Sequence, residues 1–214
     1  MDKTRSDSLR SRLISQRLRE AEEFFMKQGP VYTTLERLAH RLDEEEIPYA
    51  VVGAMALNLH QYERMTRDID ILMTAEGVET FIKRCVGLGY VQAFPGARKS
   101  FRDTVSQTTI EVLITGEYPG DGKPKPVSFP DPATAFVSIG GIRVITLEKL
   151  IELKLASGLS APHRLRDLAD VQDLIVAQNL PIEFAEKLDE SVRAEYRRLW
   201  ELAQHADEGP HERE

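Results

Sequence analysis

The sequence predicts an α/β (α+β) fold: a small mixed β-sheet flanked by helices, with a helical C-terminal third. Three observations carry this. Apolar residues recur at helical spacing at both ends of the chain, they switch to short apolar runs between about residues 48 and 145, and Gly or Pro punctuates the switches. The 214 residues, 42% hydrophobic and 29% charged, are enough to bury a core and exclude collagen-like, coiled-coil-only and disordered classes.

Taken in order, Leu9, Leu13, Leu18, Ala21 and Phe25 form an apolar stripe on a helix over residues 6 to 27, which Gly29-Pro30 should end. A second helix is expected from about Thr33 to Glu45, with Leu35, Leu38, Ala39 and Leu42 buried. Residues 48 to 52 read as a buried strand closed by Gly53, residues 54 to 61 as a short helix, and Asp68 to Met73 as a strand. A helix over Glu76 to Leu88 precedes strands at Tyr90 to Phe94, Ser100 to Thr104 and Thr108 to Ile114. Residues 116 to 132 hold three Gly and five Pro and are therefore a loop. A hairpin over 135 to 145 turns at Gly140-Gly141, and helices follow at about 147–157, 163–178 and 182–204. The expected organisation is an N-terminal helix (1–30), a core (31–145), a C-terminal helical region (146–205) and a disordered tail (206–214).

The charge, 28 Lys and Arg against 35 Asp and Glu, is −7 and argues against a surface for non-specific duplex DNA. No apolar run reaches the roughly 20 residues of a membrane span. The charged N-terminus lacks the apolar core of a secretory signal, and the single Cys85 forms no intrachain disulfide, so a cytoplasmic location is expected. One basic patch stands out: Lys3, Arg5, Arg10, Arg12, Arg17 and Arg19 face only Asp2 and Asp7.

The chemistry concentrates in Val51-Val52-Gly53-Ala54 and in Arg64-Met65-Thr66-Arg67-Asp68-Ile69-Asp70-Ile71. Side chains alternate along a strand, so Asp68 and Asp70 share one face while Ile69 and Ile71 enter the core. Paired carboxylates repel unless a cation neutralises them, and hard oxygen ligands suit Mg²⁺ or Mn²⁺. Upstream, strand, Gly53 and helix start offer backbone N–H groups to an anion. Glu111 interrupts the apolar strand Thr108 to Ile114 and is the candidate third carboxylate, with Asp103 in reserve. Further on, Lys154 sits among apolar residues of a helix, and Arg164-Leu165-Arg166-Asp167-Leu168-Ala169-Asp170 follows, with Asp167 and Asp170 on one helix face.

These residues resemble the nucleotidyltransferase superfamily, whose fold is shared with DNA polymerase beta. The run Arg64-x-Thr66-x-Asp68-x-Asp70 is most similar to the AbiEii-type and other small bacterial or archaeal transferases, many of them toxin–antitoxin or phage-defence components. The resemblance covers roughly residues 48 to 175. It implies a nucleotidyltransferase fold, with Asp68, Asp70 and Glu111 as metal ligands and catalytic carboxylates. It places Gly53, Ala54, Arg67, Lys154, Arg166 and Asp167 at a nucleoside triphosphate. Two departures stand in the chain: Ala54 replaces the second Gly or Ser of the family's loop, and Glu111 replaces an Asp.

The implied activity is Mg²⁺- or Mn²⁺-dependent transfer of a nucleoside monophosphate from an NTP such as ATP to an RNA 3′ end, a protein side chain or a small molecule. RNA, including tRNA, or a cognate antitoxin is the expected macromolecular partner, the first favoured by the N-terminal patch and by Lys123 and Lys125 if they flank the cleft. The alternative, favoured by Ala54 and Glu111, is a module that keeps the fold for nucleotide or partner binding and has lost turnover.

Overall fold

A computed structural model of the chain describes residues 29–206. The basic stretch and the helix expected over residues 6 to 27 lie outside them, as does the tail expected over 206–214 apart from residue 206, which ends the last helix. Helix α1 spans Pro30–Glu44. Gly29-Pro30 starts this helix, with Gly29 at the N-cap and Pro at the first turn, where its missing N–H costs nothing. Strand β1 (Tyr49–Val51) leads into α2 (Gly53–Leu59), then β2 (Asp68–Met73) and α3 (Ala75–Arg84). Helix α3 ends four residues before the expected Leu88, because Gly87 and Gly89 take positive φ and turn the chain. Strands β3 (Tyr90–Gln92), β4 (Ser100–Asp103) and β5 (Thr109–Ile114) follow, then the long loop and the hairpin β6 (Phe136–Ile139) with β7 (Ile142–Ile145).

The C-terminal third is helical, as α4 (Leu147–Ser160), α5 (Leu165–Ala177) and α6 (Glu190–Ala206). Residues Ile182–Lys187, expected at the start of the last helix, form a separate 3₁₀ segment. Asp189 explains the break. Its carboxylate accepts from Ser191 N at 3.0 Å, and its own N–H donates to the buried Glu152 at 2.9 Å, so α6 has its own start anchored on α4.

The seven strands of the described residues form one mixed sheet in the order β3-β4-β5-β2-β1-β7-β6. Strand β2 is central, antiparallel to β1 and parallel to β5. The pleat divides the core in two. Tyr49, Val51, Ile69, Ile71 and Met73 pack with Leu35, Leu38, Leu42 and Phe81 of α1 and α3. Ala50, Val52 and Leu72 belong to the core on the opposite side, with Leu150, Ile151 and Leu155 of α4, Leu174 of α5 and Tyr196 of α6. Ile69 and Ile71 are fully buried, each contributing about 1.5–3 kcal/mol by leaving water. That burial locks the register of β2, since a slip of one residue would put both carboxylates into the α1/α3 core. Asp68 and Asp70 therefore face the C-terminal helices.

Candidate active site

A cleft of about 400 Å³ opens where the end of β1, β2 and the C-terminal helices meet. Gly53, Asp68 and Asp70 line one wall, and Lys154, Ser157 and Asp167 line another. Tyr118, Pro119 and Gly120 of the long loop close it, with an apolar floor from Leu113, Phe129, Leu150 and Leu153. Gly120 makes this closure close: at φ +76°, a Cβ there would lie 2.2 Å from Ser160 Oγ.

Asp68 is exposed, and its Oδ1 accepts from the Thr66 hydroxyl. Asp70 is partly buried beside Gly53, and the backbone bond Val52 N–Asp70 O (3.0 Å) ties the two segments together. Burial, then the neighbouring Asp68 charge, pushes the Asp70 carboxyl up to about 6, against an opposing pull from Lys154 and with a further push from Glu111. Such a pair is short of positive charge, which is what a divalent cation supplies; the donor set of Asp68 and Asp70 fits Mg²⁺ or Mn²⁺. Among the described residues, however, no group of three or more His, Cys, Asp or Glu is gathered to hold a metal ion.

Glu111 stands one strand over, in parallel register with Asp70. It does not line the cleft, and its Oε1 accepts from Ser100 Oγ at 2.7 Å on the next strand. The reserve candidate Asp103 lies elsewhere, at the β4 end. Burial works against its charge, but hydrogen bonds from Ser106 N (2.6 Å), Ser106 Oγ (2.8 Å) and Arg37 (2.9 Å) outweigh this and hold its pKa below the ordinary value. Its carboxylate shapes the β4–β5 turn.

Opposite the carboxylate pair, Lys154 is buried, with Nζ 3.1 Å from Asp167 Oδ1 and 2.6 Å from Asp170 Oδ2. Ser157 Oγ donates to Asp167 Oδ2 at 2.7 Å, and Arg64 Nη1 pairs with Asp170. This network depends on close contact of α4 and α5. Gly158 permits it, since a Cβ there would meet Leu168 Cγ at 2.5 Å. Ala54 also lines the cleft and has no positive φ, so the backbone freedom needed in this turn belongs to Gly53 alone, at φ +62°. Arg67 and Arg166 are exposed and do not line the cleft. Of the two loop lysines, Lys125 is held by Pro119 O and Asp121 and is therefore not a free cation. His60 Nε2 is 2.8 Å from the Ile145 carbonyl and so acts as a donor in packing.

Sequence reasoning gave no role to Arg64, Ser157 or Asn58. Asn58 is buried and reads both backbone groups of Arg64, donating to its O at 2.6 Å and accepting from its N at 3.0 Å. A polar residue on the buried side of a short helix was the available signal. Gly158, interior to a helix where Gly costs about 1 kcal/mol relative to Ala, was the signal for tight helix packing.

No protein-family model matches the sequence, and no curated protein matches it. Solved structures do. A solution structure of the antibiotic-resistance factor ANT(2'')-Ia matches with a TM-score of 0.50 at 17% identity, covering 82% of this chain and 96% of that one. A crystal structure of ANT(2'')-Ia in complex with adenylyl-2''-tobramycin matches at 0.48 and 16% identity, covering 78% and 96%. An antigenic nucleotidyltransferase-like protein from Paracoccidioides brasiliensis matches at 0.49 and 18%, covering 83% and 88%. With its mixed sheet, the Gly53 turn against β2 and the helical C-terminal third, the chain has the nucleotidyltransferase fold.

Proposed function

We propose that this protein transfers a nucleoside monophosphate from an NTP to an acceptor hydroxyl. The observation that carries the proposal is the Asp68–Asp70 pair packed against Gly53, across one cleft from the Lys154–Asp167–Asp170 network. In the reaction the acceptor oxygen bonds to the α-phosphorus, the bond from that phosphorus to the bridging oxygen breaks, and pyrophosphate leaves with the electron pair. Asp68 and Asp70 would hold Mg²⁺ or Mn²⁺, which when bound neutralises polyphosphate charge and polarises the α-phosphate. Glu111, in register with Asp70, is the proposed third carboxylate and takes the acceptor proton. Lys154 balances triphosphate charge, Gly53 and Ala54 turn backbone toward the phosphates, and Asp167 borders the nucleotide within the cleft, while the exposed Arg67 and Arg166 reach it from outside the cleft lining. The Arg64-to-Asp70 run supports an AbiEii-type setting, with RNA or a cognate antitoxin as partner. No helix among the described residues is long and apolar enough to cross a membrane.

Two measurements test this. An NTP with Mg²⁺ raises the melting temperature more than either alone, and Asp68→Asn/Asp70→Asn removes that increment; an unchanged increment refutes the assignment. Incubation with α-labelled NTPs, Mg²⁺ and either total RNA, total cell protein or small polyhydroxyl acceptors then shows where label goes. One observation favours a second reading, a nucleotide- or partner-binding module without turnover: Glu111 is engaged by Ser100, and among the described residues no third carboxylate is gathered with the Asp pair. Metal-dependent NTP binding with no labelled acceptor would select it.

A further inference from the structure

Arg64 sits between α2 and β2 on the cleft wall, with its backbone held at both N–H and C=O by Asn58. Its side chain, 18% exposed, pairs with Asp170, whose carboxylate is 4% exposed. Two features of that pairing are uneven. Asp170 also accepts from Lys154 at 2.6 Å, so it keeps a cation if Arg64 leaves. Arg64 Nε, in contrast, is buried without any hydrogen-bond partner among the described residues, a donor left unmet by the present arrangement. The pair is thus balanced so that the carboxylate loses little, and the guanidinium gains a partner, if Arg64 turns into the cleft.

We propose that Arg64 is a triphosphate-binding residue that exchanges partners, pairing with Asp170 in the free protein and turning to phosphate oxygens when a nucleotide enters, which leaves Asp170 to Lys154. A planar guanidinium offers several donors in a fork that matches phosphate, and Nε becomes one of them. Asn58 keeps the backbone fixed, so the exchange is a side-chain rotation. This inference rests on the nucleotidyl-transfer reading of the same cleft.

The test uses a non-hydrolysable NTP analogue with Mg²⁺, binding being read by calorimetry. Arg64→Gln is expected to raise the Kd of the analogue roughly tenfold or more. It should leave the Kd of the corresponding nucleoside, which lacks phosphates, unchanged, and shift the metal-free melting temperature by no more than about 4 °C. Arg64→Lys keeps a cation for Asp170 and should melt like the wild type, yet still bind the analogue more weakly for want of the fork. Wild-type affinity in both variants, with melting lowered in Arg64→Gln, would make Arg64 a structural strut and overturn the inference alone. Should Arg64→Gln not fold, Arg64→Lys decides: weaker binding supports the exchange, and wild-type binding overturns it. A wild-type protein that does not bind the analogue at all removes the nucleotidyl-transfer reading, and the inference with it.

Discussion

Gly53 and Asp70 are packed so closely that a Cβ on Gly53 would lie 1.9 Å from Asp70 Oδ2. The glycine is required twice over, by its φ of +62° and by the carboxylate that fills the space a side chain would need. Gly53→Ala is expected to cost about 2–4 kcal/mol, from left-handed backbone strain plus overlap. Urea denaturation measures it. Combining Gly53→Ala with Asp70→Ala should cost less than the sum of the two single changes, because the overlap is partly removed while the backbone strain remains.

Asp70 should destabilise the metal-free protein at neutral pH. Its folded-state carboxyl is raised from 3.8 to about 6, chiefly by burial and then by Asp68, so the native state binds the proton more tightly than the unfolded chain. Stability from this group is full below the unfolded value and falls as pH rises through about 6. Asp70→Asn, measured in the presence of a chelator, is therefore expected to be more stable than wild type at pH 7, by on the order of 1–3 kcal/mol. The difference should shrink to nothing near pH 3.5. A less stable variant at pH 7 would contradict the electrostatic account.

Glu111 and Asp103 make opposite predictions. With Glu111 as third carboxylate, Glu111→Gln lowers turnover by about 10²-fold or more while NTP binding stays within a few-fold. Asp103→Asn instead lowers stability by about 1–3 kcal/mol, because the carboxylate accepts from Arg37, Ser106 and Val105, and it leaves turnover per folded molecule unchanged. Full activity in Glu111→Gln would remove Glu111 from the mechanism.

Gly158→Ala should push α5 from α4, since its Cβ would meet Leu168 Cγ at 2.5 Å. A loss of about 1–3 kcal/mol is expected, together with a higher KM for NTP, because α5 carries Asp167 and Asp170 to Lys154. Adding Leu168→Ala makes room for the new methyl and should recover much of both losses. Recovery of stability without recovery of KM would separate the helix contact from the Lys154 network.

The chain's alternating and helical periodicities determined its element order, and with it the α/β class. Asp68, Ile69, Asp70 and Ile71 needed only the two-residue period of a strand to divide into a carboxylate face and a buried face, and the structure has that division. Local pattern did not place every boundary: Gly29-Pro30, expected as the stop of a helix that lies outside the described residues, is also the start of α1, three residues before the expected Thr33. Similarly, the break before α6 depends on Glu152, 37 residues away, accepting the Asp189 N–H. The partners of charged groups were likewise beyond local pattern. Nothing near Asp103 in sequence announces Arg37, 66 residues earlier, and nothing near Arg64 announces Asp170, 106 residues later. Periodicity is a property of a segment and its solvent. Ion pairs, orphaned donors and the overlap of a missing Cβ with a distant carboxylate arise only when segments remote in sequence are brought together, so the tertiary structure alone decided which side of the cleft each of these residues serves.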